Sequence, residues 1–143
     1  MTPQPATPPF TLEVVTPERK IFSGPADSAT LPTQSGEINI LPGHIPLTTM
    51  LAPGEVVVSH NGTLERLAVD KGFARILGDR ISILTEAAID TDEIDLGAVA
   101  AAEARAKAAL DAARAGQIDP AEVEKMEQIL RFAAVQKLLK HRR

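Results

Sequence analysis

An abrupt change of pattern near residue 89 constrains the fold of this 143-residue chain more than any other feature. Before that point, short runs that alternate apolar and polar residues are separated by Gly, Pro and Asn turn signals, a pattern typical of strands. After it, alanine dominates and helix replaces strand. The chain is therefore predicted to contain a β-rich unit followed by a helical unit.

Two tight turns define hairpins in the first unit. Asn61-Gly62 separates residues 55–60 from 63–69, and Gly78-Asp79 separates residues 71–77 from 80–85. We predict that Gly24-Pro25 and Pro32 end two of the earlier strands. Those earlier strands are predicted at residues 10–16, 21–25, 27–31, 37–40 and 47–51. About ten short strands at such even spacing predict an antiparallel β-sandwich or a flattened barrel.

The second unit reads as two helices joined by a short loop. The first is predicted to begin near residues 92–95, where carboxylates suit the positive end of the helix dipole, and to end at Gly116 as a C′ residue. The second begins at Asp119-Pro120 and runs towards Lys140. The two helices form an antiparallel hairpin. We assign residues 1–9 to a mobile proline-rich tail, 10–89 to the sandwich and 90–143 to the hairpin.

Residues 36–47 combine a strand with a stiff turn. Ile38 and Ile40 alternate with polar neighbours, and Pro42-Gly43 favours a turn with a positive φ at the glycine. The segment should hold His44 at a fixed place. We interpret His44 as hydrogen-bonded within its own turn rather than catalytic, because no orienting carboxylate or nucleophile is evident nearby.

Several classes of function are disfavoured by composition. The chain has no cysteine, so thiolate chemistry is excluded, and its three scattered histidines do not predict a metal site. A net charge of -4 argues against nucleic acid as a partner. No apolar run approaches the roughly 20 residues that span a bilayer, and the N-terminus does not read as a signal peptide. We expect no cofactor and no catalytic group.

The stretch 36–47 resembles the signature of the epsilon subunit of F-type ATP synthases, called delta in mitochondria. The family usually has glycine where this chain has Asn39, which could keep a bulged strand with positive φ. It often has a second glycine at the position of Lys71. The resemblance rests on Gly36-Glu37-Ile38, Ile40-Leu41-Pro42-Gly43-His44, Pro46-Leu47, Phe22-Ser23-Gly24, Pro53-Gly54, Gly72-Phe73 and Glu86-Ala87-Ala88.

The resemblance implies a non-catalytic subunit of the central rotor stalk. Such a subunit joins the gamma shaft to the polar loops of the membrane c-ring, without inserting into the bilayer. It would be a peripheral protein on the cytoplasmic face of the bacterial inner membrane. In the family, the loop resembling residues 34–44 faces the ring, which makes Ser35, Glu37 and His44 interface candidates.

The resemblance also implies that the hairpin restrains ATP hydrolysis by extending into the catalytic alpha/beta head. Arg131, Lys137 and Lys140 would then meet acidic surface there, although the same cations could simply form a solvated helix face. We expect the alanine-rich first helix to offer the sandwich a shallow face and to dock weakly.

Some family members bind ATP on the hairpin through a motif that Ile94-Asp95 begins. Its arginine position is Ala98 here, which removes the charge-assisted phosphate contact, so no nucleotide site is predicted. Asp92, Glu93 and Asp95 are then helix-capping charges. The rival to the rotor interpretation is a stand-alone β-sandwich that senses a small molecule or nucleotide, and an enzyme is a more distant third.

Overall fold

The computed structural model describes residues 9–116 and 119–141. Residues 1–8 of the predicted tail lie outside the described residues. The described residues form ten strands, one 3-10 turn and two helices. The strands are β1 (Phe10–Val15), β2 (Lys20–Ala26), β3 (Ser28–Thr33), β4 (Gly36–Ile40), β5 (Leu47–Leu51), β6 (Gly54–His60), β7 (Thr63–Val69), β8 (Gly72–Leu77), β9 (Arg80–Thr85) and β10 (Ala88–Asp90).

The strands form one sheet that folds over on itself into a sandwich. Its order is β10-β7-β6-β3-β5-β8-β9-β1-β2, with β4 paired to the other edge of β3. The link between β3 and β5 is a single residue pair, Thr33 with Leu51, and this is where the sheet turns between layers. One pairing departs from the predicted antiparallel arrangement, because β1 lies parallel to β9.

Two predicted strand breakers lie inside strands. β2 continues through Gly24-Pro25, because it is an edge strand and Pro25 need not donate a hydrogen bond to a second neighbour. β3 continues through Pro32, which lies between the residues paired to β6 and the pair made with β5. The short strand β10, which pairs with β7, was not predicted as a separate strand.

The interior of the sandwich is almost entirely aliphatic, as expected for a chain with 3% aromatic residues. Both layers contribute to one cluster, and Phe10 is its only fully buried aromatic side chain among the described residues. The other large members are Leu12, Val14, Leu31, Ile40, Leu51, Val56, Val58, Leu67, Val69, Ile76, Ile81 and Ile83.

The two helices are α1 (Leu96–Ala115) and α2 (Pro120–His141), preceded by a 3-10 turn at Thr91–Glu93. Asp95 caps α1 by accepting hydrogen bonds from the backbone N–H groups of Gly97 and Ala98, at 2.9 and 3.3 Å. Asp119 accepts a bond from Ala121 N–H at 3.0 Å, as its predicted capping role requires. α1 ends at Gly116 as predicted, but Gly116 has an extended backbone, φ -146°, instead of the left-handed conformation common for a glycine at this position.

The helical pair packs on the outer face of β7, mainly through α2 rather than through the alanine-rich α1. The expectation that α1 provides the docking face is therefore wrong. A second apolar cluster joins Ala68 of β7 and Ile94 to both helices. From the helices it includes Val99, Phe132, Ala133, Val135 and Leu139. Most of these side chains come from α2 and are larger than alanine, so the contact is less shallow than an alanine-rich face would give.

Candidate functional site

The turn after β4 holds His44 in a defined position. His44 N–H donates to the carbonyl of Leu41 at 3.2 Å, and Gly43 has a φ of 84°, which is the predicted Pro-Gly turn. The ring Nδ1 lies 2.7 Å from the carbonyl oxygen of Ile45. Because a carbonyl only accepts, Nδ1 carries the proton in this contact. The interpretation of His44 as hydrogen-bonded within its own turn is confirmed.

Ser35 lies in the tight turn between β3 and β4, and Glu37 lies in the first part of β4. Ser35 N–H donates to the hydroxyl of Thr33 at 3.2 Å, and that hydroxyl donates to the carbonyl of Gly36. Gly36 has a φ of 117°, which few other residues adopt. Ser35 and Glu37 are both exposed, and Glu37 lies opposite Pro32 in the register. This end of β4 is therefore as rigidly defined as the His44 turn.

The three predicted interface residues do not share one loop. Ser35 and Glu37 lie at the start of β4, whereas His44 follows its end, so the length of a five-residue strand separates them. That length is roughly 15 Å at the usual rise per residue. Asn39, between them, has no positive φ and keeps a regular register, so the expected bulge is absent. A partner that contacts all three residues must cover this whole edge.

An apolar row crosses the outer face of the other layer. Met50 on β5 lies directly opposite Phe73 on β8, and Phe73 lies opposite Leu84 on β9. These three side chains, here called the apolar row, are 49%, 54% and 54% exposed. They line an open groove of about 630 Å³ that also reaches the β3–β4 turn at Gln34. Contiguous exposed hydrophobic side chains are typical of contact surfaces between proteins.

The hairpin's best-defined polar contact joins Arg131 of α2 to Asp70, between β7 and β8. Arg131 Nε donates to Asp70 Oδ1 at 2.7 Å, and Nη2 donates to Oδ2 at 3.0 Å. The Asp70 side chain is completely buried, and that of Arg131 is 34% exposed. Nη2 also lies 3.4 Å from Glu86 Oε2. The hydrogen bond to Asp70 raises the pKa of Arg131 above its ordinary value, so the guanidinium stays charged.

The other two predicted head contacts also have partners within the chain. Lys137 Nζ lies 2.9 Å from an oxygen of Glu103, so this pair joins α2 to α1 rather than to the sandwich. Lys140 Nζ donates to the carbonyl of Thr91 at 3.4 Å. In this conformation Arg131 and Lys140 therefore hold α2 against the residues that precede α1, whereas Lys137 holds the two helices together. Their contact with a catalytic head stays a prediction that requires the hairpin to move.

Asp70 is the residue that sequence reasoning missed. It lies between the strands predicted at residues 63–69 and 71–77, where the sequence assigns it no distinct role. Its burial depends on Arg131, which is 61 residues away in sequence. A lone acid directly after a buried apolar run was the available signal, but it does not identify a partner.

The residues that correspond to the family's nucleotide-binding motif form the N-terminal cap of α1. Ala98 is exposed in the first turn of α1, and Asp95 accepts backbone hydrogen bonds there. The absence of ATP binding stays a prediction. Within residues 9–116 and 119–141, no group of three or more His, Cys, Asp or Glu side chains is arranged to hold a metal ion. No helix in the same ranges is long and apolar enough to cross a membrane.

Comparison with known proteins matches both units of the fold. A family model described as "ATP synthase, Delta/Epsilon chain, beta-sandwich domain" matches residues 9–91. An ATP synthase epsilon chain from Chloroflexus aggregans is 43% identical over 100 residues, 70% of either chain. Another epsilon chain, from Acidithiobacillus ferridurans, is 37% identical over 132 residues, 89% of this chain and 91% of the relative.

Solved structures show the same fold at lower identity. A chain in the Euglena gracilis mitochondrial ATP synthase, solved as OSCP/F1/c-ring in rotational state 1, matches with a TM-score of 0.66 and 24% identity. The match covers 97% of this chain and 86% of that chain. A chain in the central stalk and c-ring of the Tetrahymena thermophila mitochondrial enzyme matches with a TM-score of 0.53 at 12% identity, covering 91% and 95%.

Proposed function

This chain belongs to the delta/epsilon family of ATP synthase subunits, and from that premise we propose a role in the central rotor stalk of a proton-translocating F-type ATP synthase. There it would couple the gamma shaft to the membrane c-ring during ATP synthesis. The observation that carries the proposal is the two-part architecture, a sandwich with a docked helical pair. The sequence match to the relative from Acidithiobacillus ferridurans extends across both parts.

The state of the buried polar groups supports a structural rather than a catalytic role. Each polar residue that is buried as a whole among those described has a partner within the chain: Thr16, Thr33, Asp70, Thr85 and Thr91. Groups committed in this way stabilise the fold and are not poised to transfer protons. His60, whose side chain is 33% exposed, has a buried Nδ1 without a hydrogen bond, 3.5 Å from Asp27 Oδ1. The chain would act by positioning its partners.

Two surfaces suit the two proposed rotor partners. The edge that carries Ser35, Glu37 and His44 exposes these polar side chains together with Leu41 and Ile45, on turns fixed by hydrogen bonds, and would contact the polar loops of the c-ring. The apolar row lies on a broad strand surface that the helices leave open, and burying it would favour stable association with the gamma subunit. A subunit fixed to both would be a peripheral protein on the cytoplasmic face of the bacterial inner membrane.

We further propose that the hairpin restrains ATP hydrolysis when it leaves the sandwich. Undocking would free Arg131 from Asp70 and Lys140 from Thr91, and separation of the two helices would free Lys137 from Glu103. Three cations would then be available for acidic surface on the catalytic alpha/beta head, in a contact that salt weakens.

Purification of the tagged chain from its own membranes tests the rotor role. Copurification of the gamma subunit and the ring is expected, and Phe73→Glu in the apolar row should reduce the recovery of gamma. Leu138→Glu, a matched change at an exposed leucine of α2, should not. A chain that purifies alone would support the rival interpretation as a stand-alone sensor.

The regulatory part is tested by truncation after Asp90 in the assembled enzyme. We expect the ATPase rate to rise, because the inhibitory segment is gone. Replacing Arg131, Lys137 and Lys140 together by Gln should give part of the same rise. An ATPase rate that truncation leaves unchanged at low and high salt would show that the hairpin is structural only.

A further inference from the structure

Asp70 is a buried carboxylate whose main partner, Arg131, comes from the hairpin. Both carboxylate oxygens are occupied by Arg131, and Oδ1 also accepts the backbone N–H of Lys71 at 2.8 Å. The side chain has no exposed surface. Burying a carboxylate is unfavourable unless it is paired and hydrogen-bonded. Asp70 is therefore satisfied only while α2 lies on the sandwich.

The backbone of Asp70 is hydrogen-bonded within the sandwich, at the connection between β7 and β8. Asp70 N–H donates to the carbonyl of Ala87 at 3.0 Å, and Thr85 Oγ1 lies 2.9 Å from the carbonyl of Asp70. Beside it, Gly72 lets β8 approach β9 closely, because a Cβ there would lie 1.9 Å from the carbonyl oxygen of Leu84. The backbone that carries the carboxylate is thus fixed by contacts within the sandwich.

The surroundings of the two partners differ. Arg131 is 34% exposed and has a second acid, the 42% exposed Glu86, within 3.4 Å. If Asp70 were neutral, Arg131 could still pair with Glu86 and contact water. If Arg131 were replaced by a neutral residue, Asp70 would be left charged, buried and without its main partner. The cost of breaking the pair therefore falls mainly on the sandwich side.

We propose that the Asp70–Arg131 pair is the device that holds the helical hairpin on the sandwich and sets how often it undocks. The pair acts together with a small apolar contact around Ala68 and Ala133. A regulatory role for the pair rests on the proposed function, in which the pair would set the population of the undocked, inhibitory form. The retention itself is a property of the isolated chain.

The absence of cysteine allows a direct measurement. Ala133→Cys places one thiol on α2 at a position that is 2% exposed, so its rate of modification by a thiol reagent reports undocking even when undocking is rare. Ala74→Cys, in a separate protein, places the thiol in the sandwich interior and reports global unfolding. Each test substitution is made in both backgrounds.

We expect Arg131→Gln to accelerate modification of the thiol at position 133 at least tenfold, and Asp70→Asn to accelerate it less. Lys137→Gln is the matched control, because it removes the same charge from the same helix but loses only a contact to α1. It should change the rate less than twofold. In every variant the thiol at position 133 should react faster than the thiol at position 74, because undocking exposes the first without unfolding the sandwich.

Three results would overturn the proposal. They are an unchanged rate at position 133 in Arg131→Gln, an equal acceleration in Lys137→Gln, and equal reaction rates at positions 133 and 74, which would mean that the thiol on α2 reacts only when the whole fold opens. None of these results bears on whether the chain copurifies with a rotor. Conversely, a chain that purifies alone would leave the measured retention intact.

Discussion

The sandwich and the helical hairpin are stabilised in different ways. The sandwich encloses an aliphatic cluster from both layers of a hydrogen-bonded sheet. Among the described residues of α1 and α2, only Val99, Ala106, Ala133 and Leu139 are buried, and ion pairs supply defined contacts. Apolar burial is non-directional and adds up over many groups, whereas an ion pair depends on two side chains. The sandwich should therefore tolerate loss of the hairpin, while the docked hairpin depends on a few contacts.

The largest expected effect comes from the sandwich interior. Ile83→Ala removes a fully buried side chain from β9 and should lower the free energy of unfolding by about 2–5 kcal/mol, since a cavity remains. Leu138→Ala, at a position of α2 that is 60% exposed, should change it by less than about 0.5 kcal/mol. Urea titration followed by circular dichroism measures both. If the two variants lost similar free energies of unfolding, the sandwich and the hairpin would not differ in how they are stabilised.

Truncation after Asp90 should have an intermediate effect. The sandwich is expected to stay folded but to lose roughly 1–3 kcal/mol, because Asp70 loses its buried partner. Asp70→Asn in the truncated chain should recover part of this loss. Thermal unfolding of both truncated chains measures it. An unfolded truncated chain would show that the sandwich requires the hairpin.

Glu37→Ala combined with His44→Ala should leave stability nearly unchanged, because Ile38 and Ile40 supply the packing of this stretch. In assembled enzyme we expect weaker coupling, seen as less proton pumping per ATP hydrolysed in membrane vesicles. Each single variant should show a smaller defect, since the residues lie at opposite ends of β4. Equal pumping in parent and double variant would contradict the ring interface.

The smallest effect concerns the contact between the two helices. The hydrogen bond from Lys137 lowers the pKa of Glu103 from its ordinary value of 4.5. A lowered folded-state pKa contributes stability above the ordinary value, and this contribution is lost as the pH falls through the lowered one. NMR titration of the Glu103 carboxyl should show the shift, and Lys137→Gln should raise the pKa again. An identical titration in that variant would mean that the pair does not persist in solution.

The turns and caps of this protein were readable from sequence because their chemistry is local. Asn61-Gly62 adopts φ values of 50° and 78° between β6 and β7, as an Asn-Gly hairpin turn requires. Pro42-Gly43 and Asp119-Pro120 likewise form the predicted turn and helix start. In each case a few adjacent residues determine the backbone by their own φ preferences and hydrogen bonds.

Proline rules worked less well, because sheet context decides whether a missing N–H matters. Pro25 is tolerated on the edge strand β2, and Pro32 lies where β3 changes partners. The resemblance of residues 36–47 identified the family, but not that β4 would separate Ser35 and Glu37 from His44. Position within a motif does not give position on a surface.

By itself, the sequence determined the two-part plan, most of the strands and the helix starts, since periodicity and turn chemistry act over a few residues. Only the tertiary structure decided that β1 lies parallel to β9, that α2 rather than α1 faces the sandwich, and that Arg131 finds Asp70. Those contacts join residues that are far apart in sequence. They depend on the packing of the whole chain, and no local pattern specifies them.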